Sequence, residues 1–296
     1  MPPASEPLHL LISVADALGA PVLDGLLARM RLDDTVEVDD DSSATPFEIA
    51  LARAHRLPGE AGRVPWAAFE AGIVGTPCAW FQPCRWQLGL DRVTLADPAE
   101  LALTEGESRA LLAAVQPLLA EDGVTLAYWQ PDAWLAQGEL FRNLSVWSLP
   151  RALHQPLTRD VLALAPTAAQ GAQLRRLQAE LEMLLHEHSV NQARAIRGCS
   201  PVSALWISGA GALEVAHPPN PQVRVARSWD AAAVDELHRA LVADGDARLT
   251  LCGPRRAITF TCARRLADRI SIYLKPLRWQ DIRDRLWLSS GRAHEH

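Results

Sequence analysis

The chain has 296 residues, 49% hydrophobic and 22% charged, with a formal net charge of −6. This composition excludes disordered, collagenous and disulfide-scaffold classes and is ample for a sizeable core. Residues 1–20 have no basic residue before their apolar run, and Asp16 interrupts that run, which excludes a signal peptide or a membrane span.

In chain order, Leu8–Val14 is short and apolar and reads as a buried first strand, followed by a helix over Pro21–Arg31. The acidic run Asp33–Asp41 reads as a solvated loop. Thr45-Pro46-Phe47-Glu48 is a capping box with proline at the first helical position, so a helix should run to about His55. Pro65–Gly72 suggests another short helix. Residues 76–95 repeat Pro-Cys-x-Trp at Pro77–Trp80 and Pro83–Trp86, and form a hairpin turning at Gly89–Asp91. Its prolines point to an edge strand or a bent one. A second capping box, Thr104–Glu107, opens a helix to Ala120, and Val124–Trp129 is strand-like. Residues 131–166 read as a loop-rich excursion packed by Trp134 and Trp147, with a short helix at Asp160–Leu164. After a long helix come strands at Val223–Ala226, Arg248–Cys252, Ala257–Cys262 and Arg269–Leu274, with helices over Asp230–Ala243 and Trp279–Leu288. The fold class is α+β (mixed α/β): short helices and a hairpin, a long central helix, then a strand-rich C-terminal half. The expected division is 1–165 and 166–296, with one continuous domain as the alternative.

Residues 171–213 carry the most informative pattern. At about 100° per residue, Leu174, Leu177, Leu181, Leu184 and Leu185 form one stripe, continued by His188, Gln192 and Ala195 with Asn191 at its edge. His186 falls toward solvent. Arg194 and Arg197 lie in the last turn, Gly198 is a natural C-terminal cap, and Pro201 ends the helix. If Val202–Ile207 runs back as a strand, Ser208-Gly209-Ala210-Gly211 returns as a turn to the level of His188 and Asn191. Exposed N–H groups beside an imidazole and a carboxamide then suit an anion or polar ligand. The same side chains read equally as polar core groups satisfied by a neighbouring loop.

Leu185-His186-x-His188-x-Val190-Asn191-x-x-Arg194-x-x-Arg197-Gly198-x-x-Pro201-Val202-Ser203-x-x-Trp206-x-x-Gly209-x-Gly211 resembles the signature of a proteobacterial family labelled phosphoglycerate mutase-like or RpfE-type regulatory protein. The Trp80–Trp86 segment and the helix from Thr104 resemble it too, so the likeness covers most of the chain. The family pattern has an acid before the proline and a histidine two after it, where this chain has Gln82-Pro83-Cys84-Arg85. The resemblance implies either phosphoryl chemistry or a regulatory role.

The residues themselves supply neither mutase mechanism. There is no Asp-Gly-Ser start with an Asp/His metal set, and no Arg-His-Gly start for a phosphohistidine. Five cysteines, Cys78, Cys84, Cys199, Cys252 and Cys262, contain no C-x-x-C pair and suit a reducing cytoplasm better than a zinc site. No cofactor or metal is expected. The leading expectation is a non-catalytic cytoplasmic regulatory protein binding a small anion at His188, Asn191, Arg194, Trp206, Ser208, Gly209 and Gly211. Trp80, Trp86 and Arg85 are secondary candidates, and a protein partner is compatible with this reading. The alternative is a phosphate-ester enzyme with His188 as acid/base and Ser208 as nucleophile. A nucleic-acid module is the third. Residues 1–50 hold ten acids and two bases, whereas residues 245–292 hold eleven bases and four acids. Mutual neutralisation of the two ends is the preferred account of that asymmetry.

Overall fold

In a computed structural model of the chain, the described residues are 6–13, 20–88, 93–153, 156–157, 167–226, 231–243, 246–263 and 276–287. The expected hairpin turn at 89–91, helix at 160–164 and strand at 269–274 lie outside them. The strands are β1 (Leu8–Ser13), β2 (Met30–Glu37), β3 (Cys78–Leu88), β4 (Val93–Ala96), β5 (Thr125–Gln130), β6 (Ala133–Gln137), β7 (Ala204–Gly211), β8 (Val223–Ala226), β9 (Ala247–Cys252) and β10 (Arg256–Cys262). The helices are α1 (Ala20–Leu27), α2 (Pro46–Ala54), α3 (Trp66–Ala71), α4 (Glu105–Glu121), α5 (Leu149–Ala152), α6 (Ala168–Glu187), α7 (Ser189–Ile196), α8 (Ala231–Ala243) and α9 (Trp279–Trp287). The class is α+β.

Two compact units share the chain. The first comprises Met1–Asp41, Thr45–Arg56 and Pro219–His296; the second comprises Ser42–Ala44 and Leu57–Pro218. Residue 165 therefore falls inside the second unit, and α6 packs with elements that precede it in sequence.

The first unit holds a five-stranded sheet in the order β2-β10-β9-β1-β8. Strand β1 runs parallel to both β8 and β9, and β10 pairs antiparallel with β9 and β2. Leu8, Leu10 and Ile12 of β1 face a core that includes Leu23, Leu27, Leu237 and Ile282, while Leu11 faces Val36 and Ala50 on the other side. A parallel strand buried on both faces has no polar side to show, which is why β1 lacks alternation. The acidic run is not a loop: its first part is β2, whose side chains are mostly exposed. Its acids meet the arginines of the C-terminal strands, Glu37 with Arg256 at 2.7 Å and Asp33 with Arg248 at 3.9 Å, and Asp40 meets Arg255 at 2.7 Å. A polar line also crosses this sheet, from His9 Nε2 to the Thr250 hydroxyl (2.8 Å) and on to Thr259 (2.8 Å).

The second unit is an antiparallel sheet built on β3. Along one side β3 pairs first with β6 and then with β4; along the other it pairs with β7. It is a central strand, so the edge reading of its prolines fails, while the alternative of an irregular strand agrees with the register shift between Cys78 and Trp80. Proline is tolerated because Pro83 falls between Phe81, the last residue paired with β6, and Arg85, the first paired with β4. The missing N–H removes no ladder bond on that side. Trp134 belongs to β6 and not to a loop; it is fully buried, and its indole N–H donates to Ser108 of α4 at 2.8 Å. Helices α4 and α6 cover one sheet face through Leu111, Val115, Leu119, Leu174, Leu177 and Leu181. Both expected capping boxes are present, at Thr45/Glu48 and Thr104/Glu107. From α4, the Gln116 carboxamide donates to the Val124 carbonyl (3.2 Å) and accepts from the Leu126 N–H (2.7 Å) of β5.

Candidate functional site

The expected long helix is two helices. His188 ends α6 and caps α7, with extended backbone (φ −70°, ψ 137°) and its Nδ1 accepting from the Val190 N–H at 3.2 Å. An imidazole in that position satisfies an orphan helix N–H. The break rotates the second helix, so the stripe does not continue. Gln192 and Ala195 are exposed and His188 is half-buried, whereas Asn191 and Arg194 point inward at 5% and 2% exposure. His186 is exposed, as expected.

Asn191 is fully paired. Its Nδ2 donates to the carbonyls of Leu185 and Val202, both at 2.7 Å, and its Oδ1 accepts from the Val202 N–H at 2.8 Å. It ties the end of α6 to the chain entering β7. Arg194 donates to Ser200 O (2.8 Å), Leu101 O (2.5 Å) and Glu107 Oε2 (3.0 Å). Glu107 also pairs with Arg197. Desolvation alone would raise the Glu107 carboxyl. The Thr104 N–H, Arg197, the Thr104 hydroxyl and the Arg194 charge outweigh it and hold the group at about 2. Arg194 and Arg197 thus clamp the N-terminus of α4, where a carboxylate already suits the helix dipole.

The glycine segment is not a turn. Ser208 to Gly211 form the end of β7, with a register shift where Cys78 and Trp80 of β3 face Gly211 and Ser208. Gly209 adopts φ +61° at this irregularity, the left-handed region where glycine is favoured. A Cβ on Gly209 would stand 3.0 Å from Trp66 Cβ, and one on Gly211 would stand 2.9 Å from Pro65 Cβ. The glycines allow α3 to approach the strand backbone closely, and no anion cradle is left beside them. The Ser208 hydroxyl donates to Gln82 Oε1 at 2.7 Å, and the residue is 6% exposed. Trp206 is 2% exposed and donates its indole N–H to the Trp147 carbonyl at 3.1 Å.

Trp206 does border a cavity, one that polar motifs did not point to. Between α6 and the sheet runs an apolar slot, partly open to solvent. Trp147 and Trp206 line it with Leu174, Leu177 and Leu181 of α6, and Phe81 and Leu205 also line it. The slot measures about 20 Å³, room for roughly one water. Gln178 is the polar residue of its lining. Beside it Trp86 meets Trp206 edge-on, with centroids 6.3 Å apart at 79°, and the Trp86 indole N–H donates to Glu182 Oε1 at 2.9 Å. The sequence feature that bears on it is composition: ten tryptophans against two tyrosines and five phenylalanines. Trp80 lies elsewhere, bonded to Glu70 at 2.8 Å and tilted against Trp129. Arg85 is half-buried on β3 opposite Ala96.

The slot lining holds no cysteine, serine or histidine, and the buried thiols elsewhere in the chain are not poised nucleophiles. Burial pushes the Cys84 thiol far up despite a hydrogen bond from the Trp206 backbone, and burial pushes Cys78 to about 11 and Cys252 to about 12. These thiols stay protonated at neutral pH. Among the described residues no group of His, Cys, Asp and Glu side chains could hold a metal ion, and no helix is long and apolar enough to cross a membrane.

No family model matches the chain, and no curated protein matches it. Two solved structures are similar to it over most of their length. A cofactor-independent phosphoglycerate mutase from Thermoplasma acidophilum DSM 1728 shares 14% identity at a TM-score of 0.39, covering 88% of this chain and 90% of its own. A Pyrococcus horikoshii protein shares 12% identity at a TM-score of 0.41, covering 87% and 88%. Neither likeness decides anything about chemistry, and the RpfE-type label has no counterpart in them.

Proposed function

We propose that the chain is a non-catalytic binding protein, regulatory in role, and that its ligand seats an apolar group in the slot of the second unit. One contrast carries this reading. The polar groups of Asn191, Arg194, Trp206 and Ser208 are all engaged by internal partners, whereas the slot is apolar and walled by two indoles. Pockets that bind small molecules are mostly apolar with a few polar groups at the edge. The slot is narrower here than a bound ring, so binding parts the side chains at its mouth. Phosphate-ester chemistry at His188 and Ser208 has no supporting observation, because the imidazole caps α7 and the hydroxyl is bonded to Gln82.

Calorimetric titration with indole tests the reading. Saturable binding is expected for the parent protein and none for Leu177→Phe, which fills the slot from α6. Binding that survives in a folded Leu177→Phe protein, or no binding in the parent, overturns it.

A further inference from the structure

Six acids of the second unit are paired with arginine: Asp122 and Glu180 with Arg176, Glu107 with Arg194 and Arg197, Glu105 with Arg109, Glu139 and Glu214 with Arg142. Glu182, half-buried on α6 next to Leu181 of the slot lining, is paired with no cation among the described residues. Both of its donors, the Trp86 N–H at 2.9 Å and the Gln178 amide at 3.5 Å, go to Oε1. Oε2 has no partner among the described residues. Its field reaches into the same cluster, where it helps keep the Cys84 thiol protonated.

We infer that the slot takes a cationic ligand, a protonated amine on an aromatic or compact apolar body, with the ammonium held beside the slot by Glu182 and the Trp86–Trp206 corner. This rests on the slot being the binding site, as proposed above. The ring quadrupoles of two perpendicular indoles attract a cation, and a half-buried carboxylate next to them supplies a charge-assisted acceptor. At the other wall the Arg151 guanidinium lies 5.8 Å from the Trp147 ring and donates to the Ser42 carbonyl. A second cation is repelled there, which places the ammonium at the Trp86 end. An anionic ligand would be repelled by Glu182. The anion expected from residues 188–211 is therefore replaced by its opposite.

The test compares three ligands of one ring system by calorimetry: tryptamine (cation), tryptophol (neutral) and indole-3-propionate (anion). Tryptamine is expected to bind the parent about tenfold more tightly than tryptophol, about 1.4 kcal/mol, with indole-3-propionate weakest. The preference should shrink as salt is raised. Glu182→Gln keeps an acceptor for the Trp86 N–H, and in it tryptamine and tryptophol should bind equally; a melting curve confirms that the variant is folded. Equal affinities for all three ligands in the parent overturn the charge preference and leave the slot standing. Indole failing together with all three overturns the slot itself.

Discussion

Replacing Arg194 with methionine tests the reassignment of that residue from ligand binding to structure. Methionine retains most of the apolar stem, so the loss is confined to the guanidinium and little cavity opens. Three acceptors lose their donor: Ser200 O, Leu101 O and Glu107 Oε2. Breaking a buried ion pair costs about 3–5 kcal/mol. Glu107 keeps Arg197 and the Thr104 N–H, so the lower end, about 3 kcal/mol, is expected. That is a large share of a typical stability of roughly 5–15 kcal/mol. Urea unfolding at neutral pH reads it as a lowered midpoint at unchanged slope. Arg197→Ala is the control: with 53% of its side chain exposed, its pair is worth at most about 1 kcal/mol. A pH series adds a second reading. Glu107 is held at about 2 against an ordinary 4.5, so its contribution is complete above the ordinary value and is lost as pH falls through about 2. That displacement corresponds to about 3 kcal/mol, and the acid loss should be smaller in Arg194→Met. A methionine variant within about 1 kcal/mol of the parent, or an Arg197→Ala that matches it, refutes the clamp.

Asn191→Asp keeps size but puts an acceptor where Nδ2 donates to two carbonyls; a loss of about 3 kcal/mol is expected in the same assay, and an unchanged midpoint refutes it. Gly209→Ala should lower the melting temperature, costing about 2 kcal/mol from the positive φ and the approach to Trp66. Gly25→Ala, an exposed helical site with open space around it, should instead raise the melting temperature slightly. Burial, then the charges of Arg248 and His55, hold His9 at about 4 against an ordinary 6.5. The unfolded chain takes up this proton first, so stability of the first unit should fall by up to about 3 kcal/mol as pH drops from 6.5 to 4. His55, also lowered by burial, adds to the fall. Hydrogen exchange of β1 amides would follow it, and His9→Gln should flatten the dependence; an unchanged slope would sink the assignment.

Features written in local chemistry were legible. Thr45/Glu48 and Thr104/Glu107 satisfy helix N–H groups within one turn, so three residues of spacing suffice to find them. The leucine stripe of α6 was legible for the same reason and failed at His188, because a side chain capping the next helix breaks the angular count. Long-range partners were illegible. Arg194 has a reasonable local role near a helix end, but the acid that claims it is Glu107, in another helix. Gly209 and Gly211 looked like a turn, since a strand irregularity and a turn use the same residue; only the approach of Pro65 and Trp66 separates them. The division of the chain could not be read from order alone. Strands β8, β9 and β10 join β1 and β2 across the whole second unit. The slot went unseen because its residues, Gln178 apart, are apolar or aromatic and spread from Phe81 to Ile207.

Gln116 has a consequence beyond holding α4 to the sheet. Strand β5 is the last in its sheet, and the outer row of such a strand is a template for any extended chain it meets. By accepting from the Leu126 N–H and donating to the Val124 carbonyl, one carboxamide imitates the next strand for a single residue pair. Nearby, Arg109 lies over the Tyr128 ring at 3.8 Å, setting a charge further along the same border. The helix thus blunts one end of that outer row, on a strand that carries Trp129 half exposed.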